Sequence, residues 1–573
     1  MTERPETALE RLFERELRAG QARWFSLPGG ATLFAGGEAA SDLYLVRAGK
    51  LGAFRQDAGG ERSLVGLIRP GEPAGEMALI AGTPHTGQVA ALRDSEVLAL
   101  DREAFFDAAD QDPDVMTGLA RLMILRARQT AGKTPVAAPV VFGFAAETGC
   151  GKIRPLVARI ARAVAEMGHA TTLVGAEAAT APTEWFSNVE ADHEYVFYVA
   201  EPGEAAWRTV MGRQVDRLFR VGRGDRPAPM QDTVAPIQPL QDQGLVDLVL
   251  IQPPHLVRPV GSEAWLDATG AARLFHLRSD SAPDAQRLAR VLTGRSVGLV
   301  LSGGGARAYA HIGALRVLRE AGIPIDFVGG ASMGGIIAAC VAMGWEEAEL
   351  EARIREAFVE TSPLDDIAFP LVALTHGAKV KARLKTHFED VLIPDLWLPF
   401  FCISSNLTSG AYHVHQRGKV RHALRASISL PGVMPPFMRG GEVLVDGAVL
   451  KNFPADVMRA MHQGPIIGVD VTRGRSIAAE DVQIPPLTQW ILSGEWRKGP
   501  PIVALLMRAA TLSTNRDVIA AREATDVLVL PEVDHIDIRD WKAFDVGAET
   551  GFEATVDALQ RLRRPVTELR RAG

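Results

Sequence analysis

Residues Gly330-Ala331-Ser332-Met333-Gly334 set a serine hydroxyl between two glycines. An apolar run precedes them, Ile325 to Val328, and another follows, Ile336 to Met343, so the stretch reads as strand, sharp turn and helix. Small flanking residues let the backbone take the strained turn of a nucleophile elbow. The following helix then aims its first N–H groups at charge developing beside the hydroxyl. One strand earlier, Val297 to Leu301 leads into Ser302-Gly303-Gly304-Gly305-Ala306-Arg307 and a helical pattern through Leu318. Bare amides at Gly303, Gly304 and Gly305 suit an oxyanion. Two successive strand-loop-helix units bring both loops to the carboxyl edge of one parallel sheet. A third part is Asp446, which ends the short strand starting at Glu442 and precedes Gly447. A carboxylate there can take the serine proton directly, giving a two-residue Ser332–Asp446 catalyst of acyl transfer.

Other groups compete for these roles. Ser332, Asp470 and His535 follow the chain order of a serine-acid-histidine triad, and Asp470 also ends an apolar strand, Pro465 to Val469. No motif places a histidine, so the dyad is preferred. Arg307 either orients the glycine loop or meets a phosphate. His311 falls on the helix after that loop and reads as a packed histidine. His413 and His415 alternate along a strand, Ala411 to Val414, with no third ligand nearby, so no metal site is expected.

The glycine loop, the elbow and the Asp-Gly pair together resemble the patatin-like phospholipases. Closer similarity to the neuropathy target esterase branch lies in Arg287–Gly294, Ala310–Gly313, Glu320–Pro324, Asp395–Pro399 and Asn452–Asp456. The resemblance spans roughly residues 287 to 475. It implies Ser332 as nucleophile, Asp446 as base, Gly303 to Gly305 as oxyanion donors, and a phospholipid or lysophospholipid ester as substrate. Ala308 departs from the family, which has glycine after the basic residue.

Those strands and helices occupy only part of the chain. At 573 residues it is long enough for three or four domains, and its 47% apolar content can build several cores. A net charge of −7, with both signs mixed along the chain, excludes a nucleic-acid footprint. Cys150, Cys340 and Cys402 are widely spaced, which fits a reducing compartment. No secretory signal and no apolar run of spanning length stand out. A cytoplasmic protein, peripheral on the inner membrane face, is the expectation. Phe369 to Val372 and Trp397 to Phe401 are candidate membrane-facing segments, and no cofactor is called for.

Residues 25 to 130 change character. Short segments at Thr32–Phe34, Leu43–Val46, Lys50–Phe54, Ser63–Leu67, Gln88–Ala91 and Glu96–Leu100, punctuated by turns, read as a small β-roll with a helical tail. Tyr44–Gly49 and Gly71–Leu79 resemble the cyclic-nucleotide-binding domain. The resemblance puts Gly75 and Glu76 at the ribose-binding turn, with His85 and Thr86 where the phosphate-binding arginine and its neighbour would stand. A neutral imidazole lacks the charged fork that a phosphate wants, so tight cyclic-nucleotide binding is not expected. A linker, Thr134 to Pro139, leads to strand Val140–Phe144, the loop Ala145–Lys152 and a helix from Pro155 to Met167. This resembles a P-loop domain of the ParA type. Ala146 replaces a glycine and Ile153 the magnesium-binding hydroxyl, so an α/β spacer without nucleotide is expected.

The expected architecture is therefore multidomain: a β-roll with flanking helices (1–133), a degenerate P-loop or Rossmann-like α/β domain (138–285), and a patatin-like α/β hydrolase domain (295–573, core 295–471). Two function classes follow. One is a lysophospholipid or phospholipid hydrolase with a regulatory or docking roll. The other is a non-catalytic ligand sensor or scaffold with a relict hydrolase domain.

Overall fold

The computed structural model describes residues 8–56, 62–131, 140–229, 245–361, 366, 368, 372–472 and 515–569. The chain divides into two compact units, 1–223 with 229–249 and 269–272, and 224–228 with 250–268 and 273–573. The proposed linker Thr134–Pro139 and the segment Phe369–Leu371 lie outside the described residues.

The first unit begins with helix Ala8–Arg18, whose Leu9, Leu12 and Phe13 are buried. Eight strands follow: β1 (Ala22–Leu27), β2 (Thr32–Phe34), β3 (Asp42–Ala48), β4 (Leu51–Gln56), β5 (Arg62–Ile68), β6 (Pro73–Ala74), β7 (Gln88–Ala91) and β8 (Ser95–Asp101). They form two four-stranded antiparallel sheets, β1-β8-β3-β6 and β2-β7-β4-β5. Helix Pro113–Ala131 closes the roll. Beyond it, β9 (Val141–Ala146), β10 (Thr171–Val174), β11 (Tyr195–Ala200), β12 (Arg217–Arg223) and β13 (Val246–Gln252) line up in the order β10-β11-β9-β12-β13. β9 is parallel to both its neighbours and buried along its whole length, as a sheet covered on both faces requires. The unit boundary falls within β13, and β14 (Arg273–Arg278) belongs to the second unit.

The second unit is built on β15 (Gly298–Leu301), β16 (Phe327–Ala331), β17 (Phe400–Asn406), β18 (Ala411–His415), β19 (Phe437–Arg439), β20 (Glu442–Asp446), β21 (Ile466–Val469) and β22 (Val527–Val529). Their order is β19-β20-β17-β16-β15-β21-β22, with β18 on β17. β15 and β16 are parallel neighbours, which sets the loops after them side by side. β17 runs on past β16 to pair antiparallel with β20, Ser404 opposite Asp446, and so carries the acid to the elbow. Helix Phe544–Gln560 packs on helix Ala310–Glu320, behind the glycine loop. Trp397 to Phe401 is a correction to the sequence reading: Trp397, Phe400 and Phe401 are core residues, the latter two opening β17.

Candidate functional site

Ser332 follows the last residue of β16 and opens helix Ser332–Ala342 with φ +50°, one of three positive-φ residues other than glycine among those described. A left-handed φ costs a residue with a Cβ about 1–2 kcal/mol, so the surroundings must impose it. They do so by crowding. A Cβ on Gly334 would stand 2.3 Å from the Ser302 carbonyl oxygen, so the elbow and the glycine loop touch backbone to backbone. The Ser332 hydroxyl donates to Asp446 Oδ2 at 2.7 Å. Oδ1 accepts from the Ala448 N–H at 2.8 Å. Asp446 is buried, and loss of water outweighs those two hydrogen bonds, which pushes its carboxyl up to about 6.

The glycine loop divides its labour. The Gly303 N–H is engaged, donating to the Asn452 carbonyl at 3.3 Å. Gly303 instead supplies room, since a Cβ there would lie 2.9 Å from the Ser332 Cβ and 2.4 Å from Asn452 Oδ1. Of the three glycine amides assigned from the sequence, that of Gly303 is therefore already taken within the chain. Downstream residues hold the loop: Ala306 N–H donates to the Ile538 carbonyl at 2.9 Å, and Arg307 Nε to that of Ile536 at 2.7 Å. Arg307 thus orients the loop. His311 is fully buried, and burial brings its imidazole down to about 4. Its Nε2 lies 2.8 Å from the Ser302 carbonyl, and because a carbonyl only accepts, Nε2 carries the proton.

The alternative triad does not assemble. Asp470 is fully buried against Arg522, 2.6 Å away, and against Thr472, while His535 is exposed. The imidazoles of His413 and His415 lie 4.5 Å apart, tilted by 53°, and His415 Nε2 meets Ser404 Oγ at 2.7 Å. Among the described residues no group of three metal-ligating side chains occurs.

In the roll, Gly75 (φ +84°) begins helix Glu76–Ala81, and Glu76 is buried. Its carboxylate is already paired: Arg126, on helix Pro113–Ala131, donates to it at 2.6 Å and to the Pro73 carbonyl at 3.0 Å. His85 is buried flat against Phe34, ring centroids 3.7 Å apart, and burial lowers its basicity. Thr86 is exposed. The loop after β9 shows the same self-sufficiency. Gly149 and Gly151 take φ +79°, Lys152 is exposed, and Ile153 is fully buried. At the start of helix Arg154–Glu166 the Ile153 and Arg154 N–H groups both donate to the Glu201 carboxylate, each at 2.9 Å.

Comparison with known proteins follows the same division. A cyclic nucleotide-binding domain family model matches residues 24–112, and a patatin-like phospholipase family model residues 299–459. An uncharacterised NTE family protein of Mycobacterium tuberculosis is 31% identical over 554 residues, which cover 93% of this chain and 91% of that one. This chain belongs to the NTE family. Similarity extends to the human patatin-like phospholipase domain-containing protein 6, 27% identical over 605 residues, and to the Drosophila melanogaster neuropathy target esterase sws, 29% identical over 511. The NTE-family chain spans 44% and 36% of those two proteins.

Within this NTE-family chain, Ser332, Asp446 and the glycine loop meet as the motifs required, whereas in the roll Glu76 is paired with Arg126, His85 lies on Phe34 beside Gly75, and Thr86 is exposed. Sequence reasoning missed Arg126, which pairs with Glu76, and Glu201, which takes the amides at the start of the helix after β9. It also missed Ser427 and Asn452, which touch the elbow and the glycine loop.

Proposed function

We propose that this chain is a serine-dependent lipid acyl hydrolase acting on phospholipid or lysophospholipid esters. The observation carrying this reading is the 2.7 Å hydrogen bond from Ser332 Oγ to a buried, dehydrated Asp446. Oγ attacks the ester carbonyl as its proton passes to Asp446. The carbonyl oxygen becomes an oxyanion, stabilised by the Gly304 and Gly305 amides and the first turn of helix Ser332–Ala342. Collapse breaks the ester C–O bond, and the departing alkoxide takes the proton back from Asp446. Water then gives a proton to Asp446 and attacks the acyl-serine. The resulting tetrahedral intermediate expels Ser332, which recovers that proton, and the fatty acid departs.

A small apolar pocket of about 30 Å³ lies beside the same helix, and in this reading it marks where an acyl chain would begin to enter. Ile336, Cys340, Ile354, Val380, Leu384 and Phe388 line it. Among the described residues no helix is long and apolar enough to cross a membrane; in this reading substrate is met at a lipid surface. Met438, Leu407 and Tyr412 are exposed on the strands around Asp446: Met438 opposes Val443, the Leu407 N–H donates to Val443, and Tyr412 opposes Ser405. In this reading they replace Trp397–Phe401 as the apolar contact with a peripheral membrane surface. The roll serves as a docking or regulatory module. A sensor with a relict hydrolase domain fits less well, because Glu76 of the roll and the helix amides after β9 are both engaged by the chain's own side chains.

The deciding experiment is labelling with a fluorophosphonate probe, alongside fatty-acid release from lysophosphatidylcholine vesicles. Labelling confined to Ser332 and loss of both signals in Ser332→Ala are expected. Undiminished fatty-acid release by Ser332→Ala would overturn the reading.

A further inference from the structure

Crowding against the glycine loop constrains the strained elbow from one side, and the Ser332 N–H is held from the other. Ala331 and Ile403 are the last paired residues of β16 and β17. One residue on, the Ser332 N–H makes no direct bond to β17. It donates to Ser427 Oγ at 2.9 Å, and the Ser427 hydroxyl in turn donates to the Ile403 carbonyl at 2.6 Å. One hydroxyl thus stands where the next rung of the ladder would be, accepting from one strand and donating to the other. Ser427 is fully buried at the end of helix Val420–Ser427. Two residues later the Ser429 carbonyl accepts the Asp446 N–H at 2.9 Å. A single turn, 427 to 429, therefore holds the backbone of both dyad residues.

We propose that Ser427 is a positioning residue for the hydrolysis, a role that rests on the Ser332–Asp446 reading above. A direct rung from Ser332 to Ile403 would draw the serine into the extended strand. The inserted hydroxyl widens that step by one oxygen atom and lets Ser332 turn to φ +50° without stranding its N–H. It also satisfies the Ile403 carbonyl. Without it, a part-buried donor and a buried acceptor lose this shared partner together, a loss the elbow can relieve by relaxing toward ordinary φ. The hydroxyl of Ser332 would then leave its line between Asp446 and the ester carbonyl. Misplacement by about 1 Å is enough to cost about a hundredfold in rate.

The test compares threonine with valine at this position, since the two share a shape and differ in the hydroxyl. Steady-state kinetics, the rate of fluorophosphonate labelling and thermal melting are measured on the full chain. Ser427→Thr should keep kcat within about threefold of the parent. Ser427→Val and Ser427→Ala should lower kcat about 10- to 100-fold, leave KM within about threefold, and slow labelling in parallel with kcat. If Thr and Val prove equally impaired because the added methyl does not fit, Ser427→Ala decides by the same criteria. Full kcat in Ser427→Ala, or a loss confined to KM, overturns the proposal. Failure of the underlying dyad reading would look different: the parent protein would hydrolyse ester with Ser332 removed.

Discussion

The loops after β15 and β9 share one local design, a strand, a run with glycines and a helix, yet they end in opposite states. After β15, the acid at the site, Asp446, holds a serine rather than the loop, and on the proposed chemistry the Gly304 and Gly305 amides serve the oxyanion. After β9, the chain's own Glu201 takes the first amides of the helix. The roll also has an internal partner, though of opposite charge, with Arg126 paired to Glu76. A glycine-rich turn before a helix is therefore only half of a site. The other half is whether the fold supplies the counter-charge itself.

The largest effect that could break this contrast is at the dyad. Ser332→Ala or Asp446→Ala should each cut ester hydrolysis by at least about a thousandfold, with the double variant little worse, because the two act as a unit. His535→Ala should stay within a few-fold; a dead but folded His535→Ala would reinstate the triad. Next comes pH. Asp446 must be ionised to accept a proton and is pushed up to about 6, so kcat/KM should fall about tenfold per pH unit below that value and level off above it. A flat profile between pH 5 and 7 would contradict a carboxylate base.

A stability effect of the opposite sign should accompany the loss of activity. Because the folded Asp446 binds its proton more tightly than an ordinary aspartate at 3.8, stability declines as pH rises from about 4 to about 6 and stays lower above. That difference corresponds to about 3 kcal/mol. Asp446→Asn should therefore raise resistance to denaturant at pH 8 by up to that amount, and the gain should vanish by pH 4. An Asn variant less stable at pH 8 would show that the two hydrogen bonds outweigh burial.

The smallest effects belong to the closed sites. Micromolar cyclic AMP or GMP should neither bind the full chain nor alter hydrolysis, as calorimetry and kinetics can check. His85→Arg alone should restore little, because Arg126 still occupies Glu76. His85→Arg with Arg126→Ala should bring weak binding into view. Micromolar affinity in the unaltered chain would mean that the Arg126–Glu76 pair opens readily.

The hydrolase site was legible because its parts are local: the elbow and the glycine loop are each read within a few residues, and Asp446 is marked by its glycine. The positions of β10 and β12 were not. β10 has only four residues, and β12 carries Arg217, Arg220 and Arg223, a polar look for a largely buried strand. Arg220 is buried because Glu147, also buried, accepts from it at 2.8 Å, a partner 73 positions away. Trp397–Phe401 went the other way, since an unbroken apolar run does not say whether it faces lipid or core. Ser427 offered no signal at all, being one serine among several, 95 positions from the N–H it serves.

The contacts from Ala306 and Arg307 to the carbonyls of Ile538 and Ile536 bear on when in its life the protein could act. The loop that would stabilise the oxyanion takes its seat against residues made some 230 positions later. During synthesis the elbow, the glycine loop and Asp446 emerge well before that support exists. On the proposed chemistry, a half-made chain on the ribosome would carry every reacting group and still be unable to cleave lipid. The timing of activity is written into the order of the chain.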